Sequence, residues 1–206
     1  MKTYPTIPKK PKPGGRTHFY VFDKLDGSNI RAEWSKKRGF YKFGSRKRLL
    51  GTDQGALAKA QSLAEAQEEK FREVFEGMKY ERVVCFFEFY GPNSFAGNHV
   101  KGDAHRLTLI DIDVHKQGLI DPDMFLAMFS TSDIDTADML YYGKIDEAIL
   151  TEIRSGILAG MSFEGVVCKS PRQKKWEKPA MFKVKNLAWI KKVKESYDKS
   201  RWEELL

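Results

Sequence analysis

The stretch from Val83 to Tyr90, Val-Val-Cys-Phe-Phe-Glu-Phe-Tyr, is almost unbroken apolar sequence closed by Gly91-Pro92. Its length and its β-branched and aromatic content read as a buried strand, which commits the chain to a sheet with a real core. The one acid in the run is Glu88. An unpaired carboxylate inside a core is expensive, so Glu88 has to be ion-paired, bound to a ligand, or at the strand's wet end. A strand-end salt bridge is the structural alternative to a functional role.

Other segments repeat the β signal. His18 to Lys24 is aromatic and β-branched, and Asp26-Gly27 turns the chain after it. Ile30 to Trp34 and Phe40 to Phe43 read as short strands joined by the basic turn Ser35-Lys36-Lys37-Arg38-Gly39. Arg106 to Val114 alternates, which puts Asp111 and Asp113 on one face, read as a polar strand face rather than a metal pair. Phe163 to Ser170 is a further strand, with Glu164 at its start and Lys169 near its end. In Met181-Phe182-Lys183-Val184-Lys185 the alternation is strict, so the two lysines share one face at ~7 Å. They repel each other there, which is tolerable in solvent and useful opposite phosphate.

Helical spacing runs through Leu57, Ala60, Ala64, Phe71, Val74, Phe75 and Met78. It predicts one amphipathic helix ending near Gly77, with Thr52-Asp53 as its cap. Further helices are predicted from Asp121-Pro122 through Phe129, over Ile145 to Arg154, and from Leu187 to Leu206, with Ser130 to Asp138 as a polar loop.

A chain of 206 residues suits one domain. Residues 1–16 carry Pro5, Pro8, Pro11, Pro13, Gly14 and Gly15 among five Lys and Arg, and are read as an extended, solvated arm. The formal net charge of +8 favours a polyanionic partner. Cys85 and Cys168 lie in apolar runs without CxxC spacing and read as reduced core residues, which places the protein in the cytoplasm. His99, His105 and His115 do not match a zinc spacing. No apolar run is long enough to span a bilayer and no signal-like leader is present, so neither secretion nor a membrane partner is expected.

Four separated signals stand in order: Lys24-x-Asp26-Gly27, Glu88 within Phe-Phe-Glu-Phe-Tyr-Gly, Glu164-Gly165-Val166-Val167-Cys168-Lys169, and Lys183-Val184-Lys185. In that order they resemble motifs I, III, IV and V of the covalent nucleotidyltransferases, the superfamily of ATP-dependent DNA and RNA ligases and RNA capping enzymes. The run from Lys24 to Asn29, Lys-Leu-Asp-Gly-Ser-Asn, with Ser45-Arg46 after the second hairpin, resembles the nick-sealing RNA ligases of bacteriophages and trypanosome editing complexes. The resemblance runs from Asp23 to Lys185. It implies an α+β fold, two mostly antiparallel β-sheets with flanking helices enclosing a nucleotide cleft, as an ATP-grasp-like adenylation domain over residues 17–206.

The same resemblance gives each residue a task. Lys24 attacks the α-phosphate of ATP and forms a lysyl-AMP intermediate. A free lysine is protonated at neutral pH, and Lys183 and Lys185 are expected to favour its neutral form while neutralising phosphate charge. Glu164 is the metal-organising acid for Mg2+ or Mn2+, Glu88 bonds the ribose hydroxyls, Asp26 supports the catalytic site and Asp23 meets the base edge. Asn29 and Arg46 position AMP and the phosphate ends. Ile110, beside Leu109, stands where an aromatic usually stacks on the base, and an aliphatic side chain packs on a purine with less π-overlap.

The substrate this implies is RNA with 5′-phosphate and 3′-hydroxyl ends. The competing readings are a minimal DNA ligase, a GTP-using capping enzyme and a non-catalytic nucleic-acid-binding module. About twenty residues follow Lys185, so neither an OB-fold nor a helical C-terminal domain is expected. The N-terminal arm, Lys36-Lys37-Arg38, Lys47-Arg48 and residues 172–175 are expected to supply phosphate contacts instead, or a partner protein to replace the missing domain, with the chain itself a monomer.

Overall fold

The structure, a computed structural model, describes residues 1–9, 18–51, 55–92, 94, 102–172, 177 and 179–205. Thr52-Asp53, His99, residues 10–16 of the arm and residues 173–175 lie outside the described residues.

The strands form two sheets. In the first, β7 (Met139–Gly143), β1 (Phe19–Asp23), β8 (Gly165–Ser170) and β9 (Ala180–Lys185) lie side by side in that order. In the second the order is β3 (Gly39–Ser45), β2 (Ser28–Ser35), β4 (Arg82–Tyr90), β5 (Arg106–Val114) and β6 (Gly118–Leu119). Neighbouring strands in both sheets are antiparallel. The apolar run containing Glu88 is β4, flanked by β2 and β5, as burial on both faces requires. The α+β architecture expected from the sequence is therefore present.

Alternation decides which face of each sheet is covered. In the second sheet Ile30, Ala32, Trp34, Val83, Cys85, Phe87, Leu107, Leu109 and Ile112 point to one side. They pack under α1 (Ala58–Glu65), α2 (Glu68–Gly77) and α3 (Pro122–Phe129), whose Ala60, Ala64, Phe71, Phe75, Phe125 and Phe129 complete the main core. In the first sheet Val21, Val166, Cys168, Phe182 and Val184 pack against Ile153 of α4 (Glu147–Ser155). Each sheet's other face turns to the other sheet and carries Arg31, Glu88, Asp111, Lys169, Lys183 and Lys185 beside a small apolar cluster of Val84, Phe86 and Leu119. Cys85 and Cys168 are free and buried, as expected.

Four local expectations change. The predicted helix ending near Gly77 is two helices. Gln67 falls where the buried stripe passes from Ala64 to Phe71, leaves the helical course at φ −105°, ψ 5°, and donates its side-chain amide to the Leu63 carbonyl. The C-terminal helix is also two, α5 (Leu187–Ser196) and α6 (Lys199–Leu205). Tyr197 is extended between them, and Asp198 accepts from the Arg201 amide at 3.0 Å to start α6. Strand β7 was unassigned, because its edge position leaves it half exposed and without alternation. Finally, the first nine residues are not a solvated leader. They run along the opening between the sheets with contacts to both, where half-buried Tyr4 packs on Phe86 and exposed Lys2 pairs with Asp113.

Candidate active site

Lys24 follows the last residue of β1, and its backbone amide donates to the Gly165 carbonyl at 2.9 Å, continuing the β1–β8 ladder by one step. On β8's other side Gly165 pairs with Lys185. Lys24, Gly165 and Lys185 thus form one row across three strands, with no side chain at its centre. A Cβ at Gly165 would sit 2.2 Å from the Val184 carbonyl oxygen, and its φ of +137° suits glycine alone. Glu164, just before β8, is buried, and the two lysines meet on it: Lys24 Nζ lies 2.9 Å from Oε2 and Lys185 Nζ 3.0 Å from Oε1. Lys183 lies two residues back along the same face of β9.

The Asp26-Gly27 pair does not make a glycine-dependent hairpin turn. Gly27 is needed for space, since a Cβ there would lie 2.4 Å from the Phe89 carbonyl oxygen of β4. That close approach holds the loop against the second sheet and brings Lys24 near Glu88, whose carboxylate takes a hydrogen bond from the Gly27 amide. In β2 Asn29 pairs with Glu88. The β2–β3 register ends at Ile30 opposite Ser45, and Arg46, which is exposed, lies just past it in the turn closed by the Ser45 amide on the Arg48 carbonyl. Ile110 is the extra residue of a bulge in β5, since Phe86 pairs with Asp111 and Phe87 with Leu109. It packs with Phe86, Tyr4 and Met181, whereas Leu109 is in the main core.

The charges in this site compete. Burial raises the Glu88 carboxyl to about 8, with Glu164 and Asp26 adding to it and Lys24 opposing it. Burial and the Glu164 charge likewise raise Asp26 to about 6. Burial, the Lys185 charge and the Lys24 charge lower Lys183 to about 8. The two amines on Glu164 move in opposite directions. Lys185, with 7% of its side chain exposed, is lowered because burial wins. Lys24, 22% exposed, is raised, because Glu164, Glu88 and Asp26 outweigh its burial. This changes one expectation: in this state Lys24 is raised, with Glu164 the largest upward push, where a lowered, neutral amine was expected from Lys183 and Lys185.

Asp23 is placed apart from Lys24. It alternates with Lys24, so its carboxylate lies on the far side of the sheet and accepts from the backbone amide and hydroxyl of Ser162 at 2.8 and 3.0 Å. These bonds tie Asp23 to the turn that precedes Glu164. Of the basic segments, Arg172 is tied to Asp121 and to the Leu119 carbonyl. The 36–38 turn is at the opposite end of β2 from Asn29.

Two further residues complete the site, neither of which the sequence assigned a role there. Trp189 in the first turn of α5 donates its indole N–H to Asp26 at 3.2 Å and lies 3.8 Å beneath Lys185 Nζ. Lys169 of β8, buried, bonds the Ile110 carbonyl and Asp111 of β5 and so ties the two sheets together behind the cleft. The alternation of β8 carries a signal for Lys169, a charged residue on an otherwise apolar strand. Trp189 has none, because its role depends on where α5 starts.

Among the described residues no group of three or more His, Cys, Asp or Glu side chains converges to hold a metal ion. Glu164 already has an ammonium on each oxygen. The donor set fits a Mg2+ or Mn2+ held by one or two carboxylates with substrate phosphate oxygens and water completing the shell, and not an all-protein cage. One buried acceptor, Asn29 Oδ1, has no partner among the described residues, and suits a hydroxyl or amine donor from a ligand.

Two antiparallel sheets facing each other across a cleft lined by lysines and carboxylates define a nucleotidyltransferase fold. Solved structures of Naegleria gruberi RNA ligase share it. The form with pyrophosphate superposes with a TM-score of 0.62 at 20% identity, over 87% of this chain and 52% of that one. A variant with ATP and manganese gives 0.62 at 21%, over 85% and 52%, and one with AMP and manganese 0.61 at 19%, over 85% and 52%. This chain therefore spans about half the length of those ligases. Among curated proteins no sequence matches. The chain belongs to the RNA ligase family, whose model matches residues 17–192.

Proposed function

We propose that this chain is the nucleotidyltransferase domain, over residues 17–206, of an ATP-dependent RNA ligase working through a covalent lysyl-AMP intermediate. The observation that carries the reading is the meeting of Lys24 and Lys185 on Glu164 at the ends of three adjacent strands, with Lys183 alongside, in a chain of the RNA ligase family. The capture of Naegleria RNA ligase with ATP, with AMP and with pyrophosphate supports the choice of nucleotide.

In this reading Lys24 Nζ, after losing a proton, attacks the α-phosphorus of ATP. The new P–N bond forms as the bond to pyrophosphate breaks. Lys183 and Lys185 carry the positive charge that the phosphates meet. Glu88 and Asn29 hold the ribose side, and Ile110 packs on the base. Asp26, held by Trp189, supports Lys24. Glu164 contributes to the metal shell, and a divalent ion there supplies charge neutralisation at the phosphate oxygens. In the later steps AMP passes to the 5′-phosphate of an RNA end, and a 3′-hydroxyl displaces it. Arg46, exposed in the turn after β3, meets the RNA phosphates.

The test is incubation with α-labelled ATP and magnesium or manganese. Wild type is expected to take the label on Lys24, and Lys24→Ala to take none. Equal labelling of the two, or labelling from GTP in preference to ATP, contradicts the reading.

A further inference from the structure

Residues 1–9 have no helix or strand of their own, yet they are tied into the cleft at both of its walls. On the second sheet, Lys2 Nζ meets Asp113 at 2.7 Å, and the guanidinium of the buried Arg31 donates to the Met1 and Lys2 carbonyls at 3.3 and 3.0 Å. Tyr4 lays its ring on Phe86 at 4.9 Å between centroids and donates its hydroxyl to Asp111 at 3.1 Å. On the first sheet, the Tyr4 hydroxyl lies 3.9 Å from the Met181 sulfur, and the Pro8 carbonyl accepts from the backbone amide of Lys183 at 2.8 Å.

Lys183 is on the free edge of the first sheet, so the Pro8 carbonyl takes an edge amide that would otherwise face water. The segment therefore crosses from one sheet to the other and is bonded to each.

Its contacts fall beside three residues that face the cleft. Ile110 shares an apolar cluster with Tyr4, Met1 and Met181. Glu88 is two residues along β4 from Phe86, on the same face, and Lys183 is held through its own backbone. The main chain and the ring of the segment thus fix how far Ile110 and Glu88 on one sheet stand from Lys183 on the other. Tyr4 also brings a ring to the one place on β5 where the strand itself offers only Ile110.

We infer that residues 1–9 are a strap that sets the width of the nucleotide cleft, with Tyr4 as its anchoring and positioning residue for nucleotide binding. This rests on the nucleotidyltransferase reading above. Tyr4 acts through Phe86, Ile110 and Lys183, holding the base side and the phosphate side of the cleft at a fixed separation. Its loss is felt as weaker nucleotide binding more than as slower chemistry.

The experiment is the ATP-concentration dependence of label uptake by the full chain and by Tyr4→Phe, Tyr4→Ala and Lys2→Ala, each checked for folding by thermal melting. Tyr4→Ala is expected to raise the half-saturating ATP concentration by about tenfold or more, with the rate at saturating ATP within about threefold of wild type. Tyr4→Phe keeps the ring and loses one hydrogen bond, and is expected to stay within about fivefold. If Tyr4→Ala fails to fold, Lys2→Ala carries the test, since that side chain is 55% exposed; it is expected to raise the half-saturating concentration by about threefold.

Wild-type ATP dependence in both Tyr4→Ala and Lys2→Ala overturns the inference. So does tighter ATP binding in either, which would make the segment an obstacle to nucleotide. If wild type itself takes no label, the nucleotidyltransferase reading fails. The strap is then judged by hydrogen exchange at the Lys183 amide. Protection in wild type that is lost in the strap variants upholds it, and an unprotected amide in wild type overturns it.

Discussion

Glu88 is the residue where fold and site conflict. It sits in the most apolar strand of the chain, and burial, helped by Glu164 and Asp26, raises its carboxyl from 4.5 to about 8. An acid whose folded-state pKa lies above its unfolded value binds its proton more tightly in the folded state. Its contribution to stability is therefore present in full below about pH 4.5 and is lost as pH rises toward 8. Glu88→Gln keeps the shape of the neutral acid and removes the titration. The melting temperature of the variant is expected to match wild type near pH 4.5 and to exceed it at pH 8, while label uptake from ATP falls. Thermal melts across that interval decide it: parallel wild-type and variant curves would exclude Glu88 as the source of the slope.

Among the elements, α6 shows how a weak local signal reaches the site. Asp198 caps it, accepting from the Arg201 amide at 3.0 Å and from the Ser200 hydroxyl at 2.7 Å. The helix then returns far enough for the Leu205 carbonyl to accept from Lys185 Nζ at 2.7 Å. Asp198→Ala is expected to lower stability and to release that carbonyl from Lys185. Asp198→Ser retains a capping oxygen and is expected to recover most of the loss. The comparison is made by denaturant unfolding, and an alanine variant as stable as wild type would remove the cap from the account.

The same elements mark how far the sequence could be read. Strands with strict alternation or continuous apolar content, such as β4 and β9, were legible because the pattern is set by burial along the strand itself. Breaks at Gln67 and Tyr197 were not, because each depends on what the next helix packs against. Edge strand β7 lacked a buried face to announce it. At the site, the type and order of Lys24, Glu88, Glu164, Lys183 and Lys185 were visible in the chain, but their charge balance was not. Lys24 is kept charged above all by Glu164, which lies far from it in sequence. The place of the first nine residues was hidden for a related reason: Pro5 and Pro8 exclude helix and central strand but say nothing of a cleft into which an extended segment fits.

At the scale of the whole molecule the question is where the net charge of +8 acts. Much of the basic character near the cleft is already spent within the fold. Lys2, Arg31, Lys169, Arg172 and Lys185 are each bonded to carboxylates or carbonyls. The 36–38 turn is exposed, but the length of β2 puts it roughly 24 Å from Asn29. Arg46 is exposed in the turn just past Ser45, whose strand partner Ile30 follows Asn29. If RNA ends are brought to Lys24, Arg46 is the phosphate contact and the distant turn is not. Arg46→Ala is therefore expected to leave label uptake from ATP near wild type, to slow strand joining, and to reduce the salt slope of RNA binding by about one charge, ~0.7–0.9 in log–log terms. Replacing Lys36 and Lys37 together is expected to leave strand joining near wild type. Binding measured across a salt series, with joining followed on nicked RNA, separates the two sites. Equal losses from both variants would mean that RNA tracks the whole second sheet, which would move the substrate path from the cleft rim to the length of the β2–β3 hairpin.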